Sequence, residues 1–127
     1  MKIIDLFCGA GGMSLGFTQA GYTVVGAVDN WGPAVECYKK NFKGNPFYQM
    51  DLSNWKSVVA KFQGVRVDVI VGGPPCQDFS SAGKRDENGG RASLTLSYAR
   101  IVTSIQPPFF VMENVSNIRC YLDSMVK

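Results

Sequence analysis

Ile3-Ile4-Asp5-Leu6-Phe7-Cys8-Gly9-Ala10-Gly11-Gly12, running on into residues 13–20, decides the fold. A short apolar run leads into a glycine-rich turn, and a helical period follows. The unit reads as strand, turn, helix. Glycines at 9, 11 and 12 remove side chains where the backbone turns sharply and where a ligand can approach closely. The helix beyond the turn offers free N–H groups in its first turn. The spacing is not that of a dinucleotide fingerprint, because position 14 is Ser and the next glycine is Gly16. No Gly-Lys-Ser/Thr follows, so it is not a P-loop either. Taken alone, the segment also reads as an ordinary tight βα turn.

Working outward, the same alternation repeats. Strands are expected over residues 2–7, 23–28, 47–50, 67–71 and 109–113. Helical periods lie between them. Residues 54–62 carry Trp55, Val58, Val59 and Phe62 at i, i+3, i+4 and i+7, with Ser53 or Asn54 as N-cap. Residues 92–105 carry Leu94, Tyr98, Ile101, Val102 and Ile105 on one stripe. Pro33 suits the first turn of a helix reaching about residue 42. These stripes read as core. Apolar strands separated by helices predict an α/β fold, a mainly parallel sheet covered on both faces. Right-handed crossovers predict the strand order 3-2-1-4-5.

Two further segments suggest chemistry. Residues 72–80 read Gly-Gly-Pro-Pro-Cys-Gln-Asp-Phe-Ser, directly after an apolar strand. Two prolines fix two φ angles and restrict their predecessors, so Cys76 sits on a stiff loop that can aim a nucleophile. In open α/β sheets, ligands gather at the carboxyl ends of the strands. An inert buried cysteine is the alternative on this segment alone. The run Phe109-Phe110-Val111-Met112-Glu113-Asn114-Val115 ends a strand in a carboxylate and an amide. Such a glutamate either reaches solvent or sits in a site, because burial without a partner is costly. Residues 83–90 are a polar, glycine-bounded stretch that reads as a surface connector or as a lid.

Composition narrows the class. The chain of 127 residues is one domain at most, with 46% apolar and 18% charged residues. A net charge of +3 permits a polyanionic partner without demanding one. Four cysteines stand at 8, 37, 76 and 120, with no C-x-x-C pair and no histidine, so no zinc site is expected. Their spacing gives no disulfide framework, which fits a reducing cytosol. Asp5 interrupts the apolar start too early for a signal peptide. No run approaches the ~18 apolar residues of a membrane span.

The three segments together resemble the cytosine-C5 DNA methyltransferases. Residues 5–12 look like their first motif, 73–80 like their Pro-Cys nucleophile motif, and Glu113-Asn114-Val115 like their Glu-Asn-Val motif. The resemblance covers nearly the whole chain, in the family's order. It implies a Rossmann-like methyltransferase domain that uses S-adenosylmethionine and releases S-adenosylhomocysteine. It also implies a substrate of double-stranded DNA with a flipped cytosine, and a cognate restriction endonuclease as partner in the prokaryotic cytosol. Cys76 would add as a thiolate to C6 of cytosine, making C5 nucleophilic toward the methyl group. Glu113 would contact N3 and the exocyclic amine, and Asn114 would buttress the loop bearing Cys76. Loss of the C5 proton then frees the enzyme by β-elimination.

For the cofactor, the resemblance implies Phe7 against the adenine or sulfonium side, and Gly9, Ala10 and Gly12 beside the methionine moiety. Asp29 matches the residue holding the ribose hydroxyls, and Asp51 the one binding the adenine amine; either is alternatively a turn or cap residue. Position 30 is Asn where the family often places a large side chain on adenine. Leu52, Pro75 and Leu94 complete the expected cofactor contacts. Gln77, Ser80, Lys84, Arg85 and Arg91 are the expected nucleic-acid contacts, the basic ones on phosphates.

Beyond Glu-Asn-Val, the family carries further strands, a Gln-x-Arg-x-Arg motif, a target-recognition region and a returning C-terminal helix. Residues 1–127 therefore read as the N-terminal part of the catalytic domain: a fragment, or one subunit of a split enzyme, inactive alone. The remainder of the enzyme or a second subunit is then its partner. Residues 120–127 look like the start of a helix, and the fifth strand is left as an open sheet edge. The other readings are a non-catalytic cofactor-binding or regulatory module, and a transfer-RNA cytosine-C5 methyltransferase.

Overall fold

Strand and helix alternate along the chain as the sequence pattern predicts. The elements are β1 (Lys2–Leu6), α1 (Gly12–Gln19), β2 (Thr23–Asp29), α2 (Gly32–Asn41), β3 (Phe47–Gln49), α3 (Trp55–Lys61), β4 (Val69–Gly72), α4 (Ala92–Ile105) and β5 (Phe109–Met112). This computed structural model describes residues 1–75, 92–116 and 118–119. Cys76, Gln77, Ser80, Lys84, Arg85 and Arg91 lie outside the described residues, as do the expected loop over 83–90 and the helix start over 120–127.

The five strands form one sheet in the order β3-β2-β1-β4-β5. All four pairings are parallel, with Asp5 beside Ala27 on one side and Val71 on the other. Side chains alternate between faces along each strand. Ile4, Leu6, Val28 and Ile70 pack with Val58 of α3, Phe62 at its C-cap, and Tyr98 and Ile101 of α4. Ile3, Val24, Ala27, Val69 and Val71 pack on the other face with Tyr38 of α2 and with Met13 and Phe17 of α1. The sheet is thus covered on both faces, two helices to each.

Two glycines set how closely the layers approach. A Cβ on Gly26 would run into the Phe62 ring. A Cβ on Gly72 would lie 2.7 Å from the Leu6 carbonyl oxygen and 2.9 Å from the Tyr98 ring. Tyr98, only 2% exposed, donates its hydroxyl toward Val111 O at 2.9 Å and Ile70 O at 3.3 Å. That contact ties α4 to β4 and β5.

The strand boundaries shift by one or two residues from the sequence pattern, for local reasons. β1 ends at Leu6 because Phe7 takes a left-handed backbone, φ 55°. β4 begins at Val69 because Asp68 is occupied with β1: its N–H donates to Lys2 O at 2.8 Å, and its carboxylate accepts from Lys2 N at 2.7 Å. Asn54 caps α3, its Oδ1 accepting from Ser57 N at 3.4 Å.

Asp5 is the buried charge of the sheet. It projects from β1 toward α1 and is 1% exposed. Its Oδ2 accepts the Ser14 hydroxyl at 2.6 Å and the Ser14 N–H at 3.0 Å. The Tyr38 hydroxyl donates to Ser14 Oγ at 2.8 Å, and the Asn45 amide donates to Tyr38 Oη at 3.2 Å. Burial pushes the Asp5 carboxyl up from 3.8 to about 6; the two Ser14 donors oppose the rise and the Asp29 charge adds to it.

Two stability predictions follow from this packing. Gly26→Ala should destabilise the fold by about 1–3 kcal/mol in urea unfolding. Phe62→Leu should cost less in that background than in the parent, a positive coupling in the double-mutant cycle. Asp5 holds its proton more tightly folded than unfolded, so its contribution is fully present below pH ~4 and is lost as pH rises through ~6. A shift of that size corresponds to about 3 kcal/mol. Subtracting an Asp5→Asn stability profile from the parent's should give a difference that falls across that window. A flat difference would contradict it.

Candidate functional site

Because every strand is parallel, every strand's carboxyl end faces the same way. That edge collects Phe7 to Gly12 after β1, Asp29 to Trp31 at β2, and Asp51 and Leu52 after β3. It also collects Gly73 to Pro75 after β4, and Glu113 and Asn114 after β5. β1 lies between β2 and β4, so the chain leaves in opposite directions on either side of it. Ligands favour such switch points.

The turn after β1 is held from both sides. Phe7 and Gly9 have φ 55° and 54°, and Gly11 has φ 98°. At Gly11 a side chain is doubly excluded, since a Cβ would strike the Phe42 ring and press on Tyr38. Gly11 is also the N-cap of α1, so the helix has no side-chain cap of its own. Asp5 supplies one from the neighbouring strand through Ser14 N–H. Gly9 and Gly12 differ: a Cβ on either would meet nothing within 4 Å. The space over both is open.

On the other side of the turn stands Asp29. Its Oδ2 accepts the Gly9 N–H at 2.9 Å and its Oδ1 accepts the Trp31 N–H at 2.9 Å. It therefore binds the β1 turn to the end of β2. Asp51 is exposed; the Ser53 side chain, and then the Ser53 N–H that its Oδ1 accepts at 2.9 Å, hold its carboxyl below the usual carboxylate range. Between these carboxylates lies a cleft of about 350 Å³, lined by Phe7, Asp29, Asn30, Trp31, Asp51, Leu52, Pro75 and Leu94. Its size falls within the ordinary range for small-molecule sites. It combines two acceptors, two aromatic rings and an apolar floor. A second cavity of about 460 Å³, lined by Lys56, Phe62, Gln63, Ser104 and Ile105 among others, opens where the chain enters β4 and β5. It lies away from the carboxyl edge and carries no carboxylate.

The sequence-predicted residues distribute as follows. Phe7, Asp29, Asn30, Asp51, Leu52, Pro75 and Leu94 share the cleft. Gly9, Ala10 and Gly12 lie in the adjoining turn and are not among its lining residues. Leu94 faces the cleft although the rest of its stripe is core. Glu113 and Asn114 stand on the other side of β4, at the end of β5, two strands from β1. The Glu113 N–H donates to Gly72 O at 3.0 Å, and its carboxylate lies close over Gly73. Asn114 Nδ2 donates to Pro74 O at 3.1 Å, fastening the strand end to the segment that leads to Cys76.

Trp31 was not anticipated. The resemblance places a large side chain at position 30, where this chain has Asn, and Trp31, one residue later, brings a ring to the cleft. Trp31 is 68% exposed, and a solvated tryptophan beside a strand's carboxyl end was the available signal. Cys8 and Cys37 are free thiols. Burial, then the Asp5 and Asp29 charges, push the Cys8 thiol far above its ordinary value, so it stays protonated and inert.

Comparison with known proteins agrees with this architecture. The family description "C-5 cytosine-specific DNA methylase" matches residues 1–121. The type II methyltransferase M.HgiDI of Herpetosiphon aurantiacus is 56% identical over 94% of this chain, which spans 38% of that relative's length. M.HgiGI from the same organism is 54% identical, with 94% of each chain covered. A solved structure described as a DNA modification methyltransferase encoded within an E. coli prophage superposes with a TM-score of 0.77 at 37% identity, covering 93% of this chain and 33% of that one. The strand order is thus that of a known group, and the chain belongs to the C-5 cytosine-specific DNA methylase family, corresponding to its N-terminal portion.

Proposed function

We propose that this chain carries the cofactor cleft and the nucleophile of a DNA cytosine-5 methyltransferase. The observation that carries the reading is adjacency. The cleft bounded by Asp29 and Asp51 ends at Pro75, and the Asn114 amide is bonded to Pro74. The next residue along the chain is Cys76. The proposed nucleophile is thus the next residue in sequence after the edge of the cleft.

The cleft suits S-adenosylmethionine. Asp29 and Asp51 offer acceptors for ribose hydroxyls and an adenine amine. Phe7 and Trp31 offer faces for the adenine ring. The open space at Gly9 and Gly12 admits the methionine end close to the backbone. Bound there, the cofactor supplies an electrophilic methyl group. The chain's own residues do the rest. Cys76 adds to C6 of a cytosine turned out of the duplex. Glu113 holds the base through N3 and its exocyclic amine. Asn114 keeps the Pro74 carbonyl, and with it the cysteine loop, in place. Gln77, Ser80, Lys84, Arg85 and Arg91 meet the nucleic acid.

The partner surface is β5. Phe109, Phe110 and Val111 are 61%, 60% and 44% exposed, on the outermost strand of the sheet. An apolar open edge of this kind invites another strand. We assign it to the remainder of the enzyme, on this chain or on a second subunit.

The test measures methyl transfer from labelled S-adenosylmethionine to mixed-sequence duplex DNA, and trapping on DNA containing 5-fluorocytosine. The 127-residue chain is assayed alone and with the complementary polypeptide of M.HgiDI. Transfer is expected only in the mixture, and Cys76→Ser should abolish trapping while Cys37→Ser leaves it intact. Asp29→Ala should weaken S-adenosylhomocysteine binding by about tenfold or more, as for loss of charge-assisted hydrogen bonds. Trapping that survives Cys76→Ser would overturn the assignment.

A further inference from the structure

We propose that Asp5, Ser14, Tyr38 and Asn45 form a positioning relay that sets the shape of the Gly9–Gly12 turn, and hence its hold on the cofactor, according to whether Asp5 carries a proton. The cofactor half of this inference rests on the function proposed above; the turn half does not.

The relay has a direction. The Asn45 amide donates to Tyr38 Oη at 3.2 Å, Tyr38 donates to Ser14 Oγ at 2.8 Å, and Ser14 donates to Asp5 Oδ2 at 2.6 Å. The Ser14 N–H reaches the same oxygen at 3.0 Å. Every donor points toward the carboxylate. An ionised carboxylate is acceptor-only, so this wiring fits it. A proton on Oδ2 would have to be donated to Ser14 Oγ. Ser14 would then have to turn its own proton to Tyr38 Oη, and Tyr38 would have to turn its proton to Asn45, whose amide must flip to present oxygen. With the proton on Oδ2, either the whole row reverses or the Ser14 hydroxyl loses its acceptor; with the proton on Oδ1, Oδ2 remains a carbonyl acceptor and both Ser14 bonds lose their charge assistance.

The row touches the turn at two points. Asp5 is the only side chain capping α1 among the described residues, since Gly11 has none. The Tyr38 ring lies against Gly11 itself, 3.0 Å from where a Cβ would stand. A change in the Asp5–Ser14 contact is therefore a change in how α1 meets the turn. The charged and titratable groups around Asp5 are Asp29 on β2, Tyr38 on α2, Tyr98 on α4 and Cys8 in the turn. No cation is hydrogen-bonded to Asp5 among the described residues. Burial places its titration near pH 6, and Asp29, which holds the Gly9 N–H, adds to the rise.

The experiment is a pH titration of backbone amide NMR shifts from pH 5 to 8, on the 127-residue chain, free and with S-adenosylhomocysteine. The amides of Gly9, Gly11, Gly12 and Ser14 should move on one curve with a midpoint near 6. Affinity for S-adenosylhomocysteine should fall about three- to tenfold from pH 7.5 to pH 5, as expected for one linked proton. Tyr38→Phe removes a donor from the row without touching the turn's backbone; it should raise the midpoint and alter the affinity ratio. Asp5→Asn should abolish the curve; if that variant does not fold, Ser14→Ala, which removes the hydroxyl donor to the carboxylate, should raise the midpoint. Flat amides, a curve that persists in Asp5→Asn, or a Tyr38→Phe chain identical to the parent in both readouts would overturn the relay. If S-adenosylhomocysteine moves no cleft resonance at any pH, either alone or with the complementary polypeptide of M.HgiDI present, the cofactor reading fails, and the amide titration still decides the turn.

Discussion

The backbone at Gly11 leaves no room for a side chain, and much of the site follows from that exclusion. Phe42 and Tyr38 occupy the space a Cβ would need. A helix normally takes its cap from the residue at its own start. Here that residue must be glycine, so the cap comes from Asp5 on the adjacent strand. Satisfying the helix therefore requires a carboxylate in the middle of an apolar sheet. That carboxylate in turn requires Ser14, and Ser14 is completed by Tyr38 and Asn45. Close packing of α2 against the turn and burial of a charge are one constraint seen from two elements.

The consequence is a turn clamped between two acids. Asp5 holds its far end through α1, and Asp29 holds its near end through Gly9. Neither acid is hydrogen-bonded to a cation among the described residues; each is bonded to backbone N–H groups. Such bonds fix geometry rather than neutralise charge. They keep the strand end, the glycine turn and the start of the helix in register with β2, which carries the cleft's other wall.

The sequence makes the alternation of elements legible because it has two clean periods. Apolar runs of strand length sit between helical stripes, and the order of a doubly wound sheet follows from handedness. The boundaries are less legible where one backbone angle or one carboxylate decides them, as at Phe7 and Asp68. Most of the cleft is legible from motif residues at strand ends. Asp5 announces only that it needs a partner, because Ser14, Tyr38 and Asn45 meet it only once α1 and α2 lie on the same face. Trp31 escapes notice for a similar reason. Asn30 and Trp31 both line the cleft, and how far a residue just before a helix reaches into it depends on the cap geometry as well as on residue type.

Asp29 carries a thermodynamic implication. Both of its oxygens are already bound to backbone, so its rotamer is fixed before any ligand arrives. Each oxygen keeps a second lone pair for an incoming hydroxyl. Immobilising a free side chain at an interface costs about 0.5–1.5 kcal/mol, and here that loss is taken during folding instead of during association. A vicinal diol would meet two acceptors at a set separation, so the carboxylate would act as a gauge of ligand geometry as well as a source of affinity.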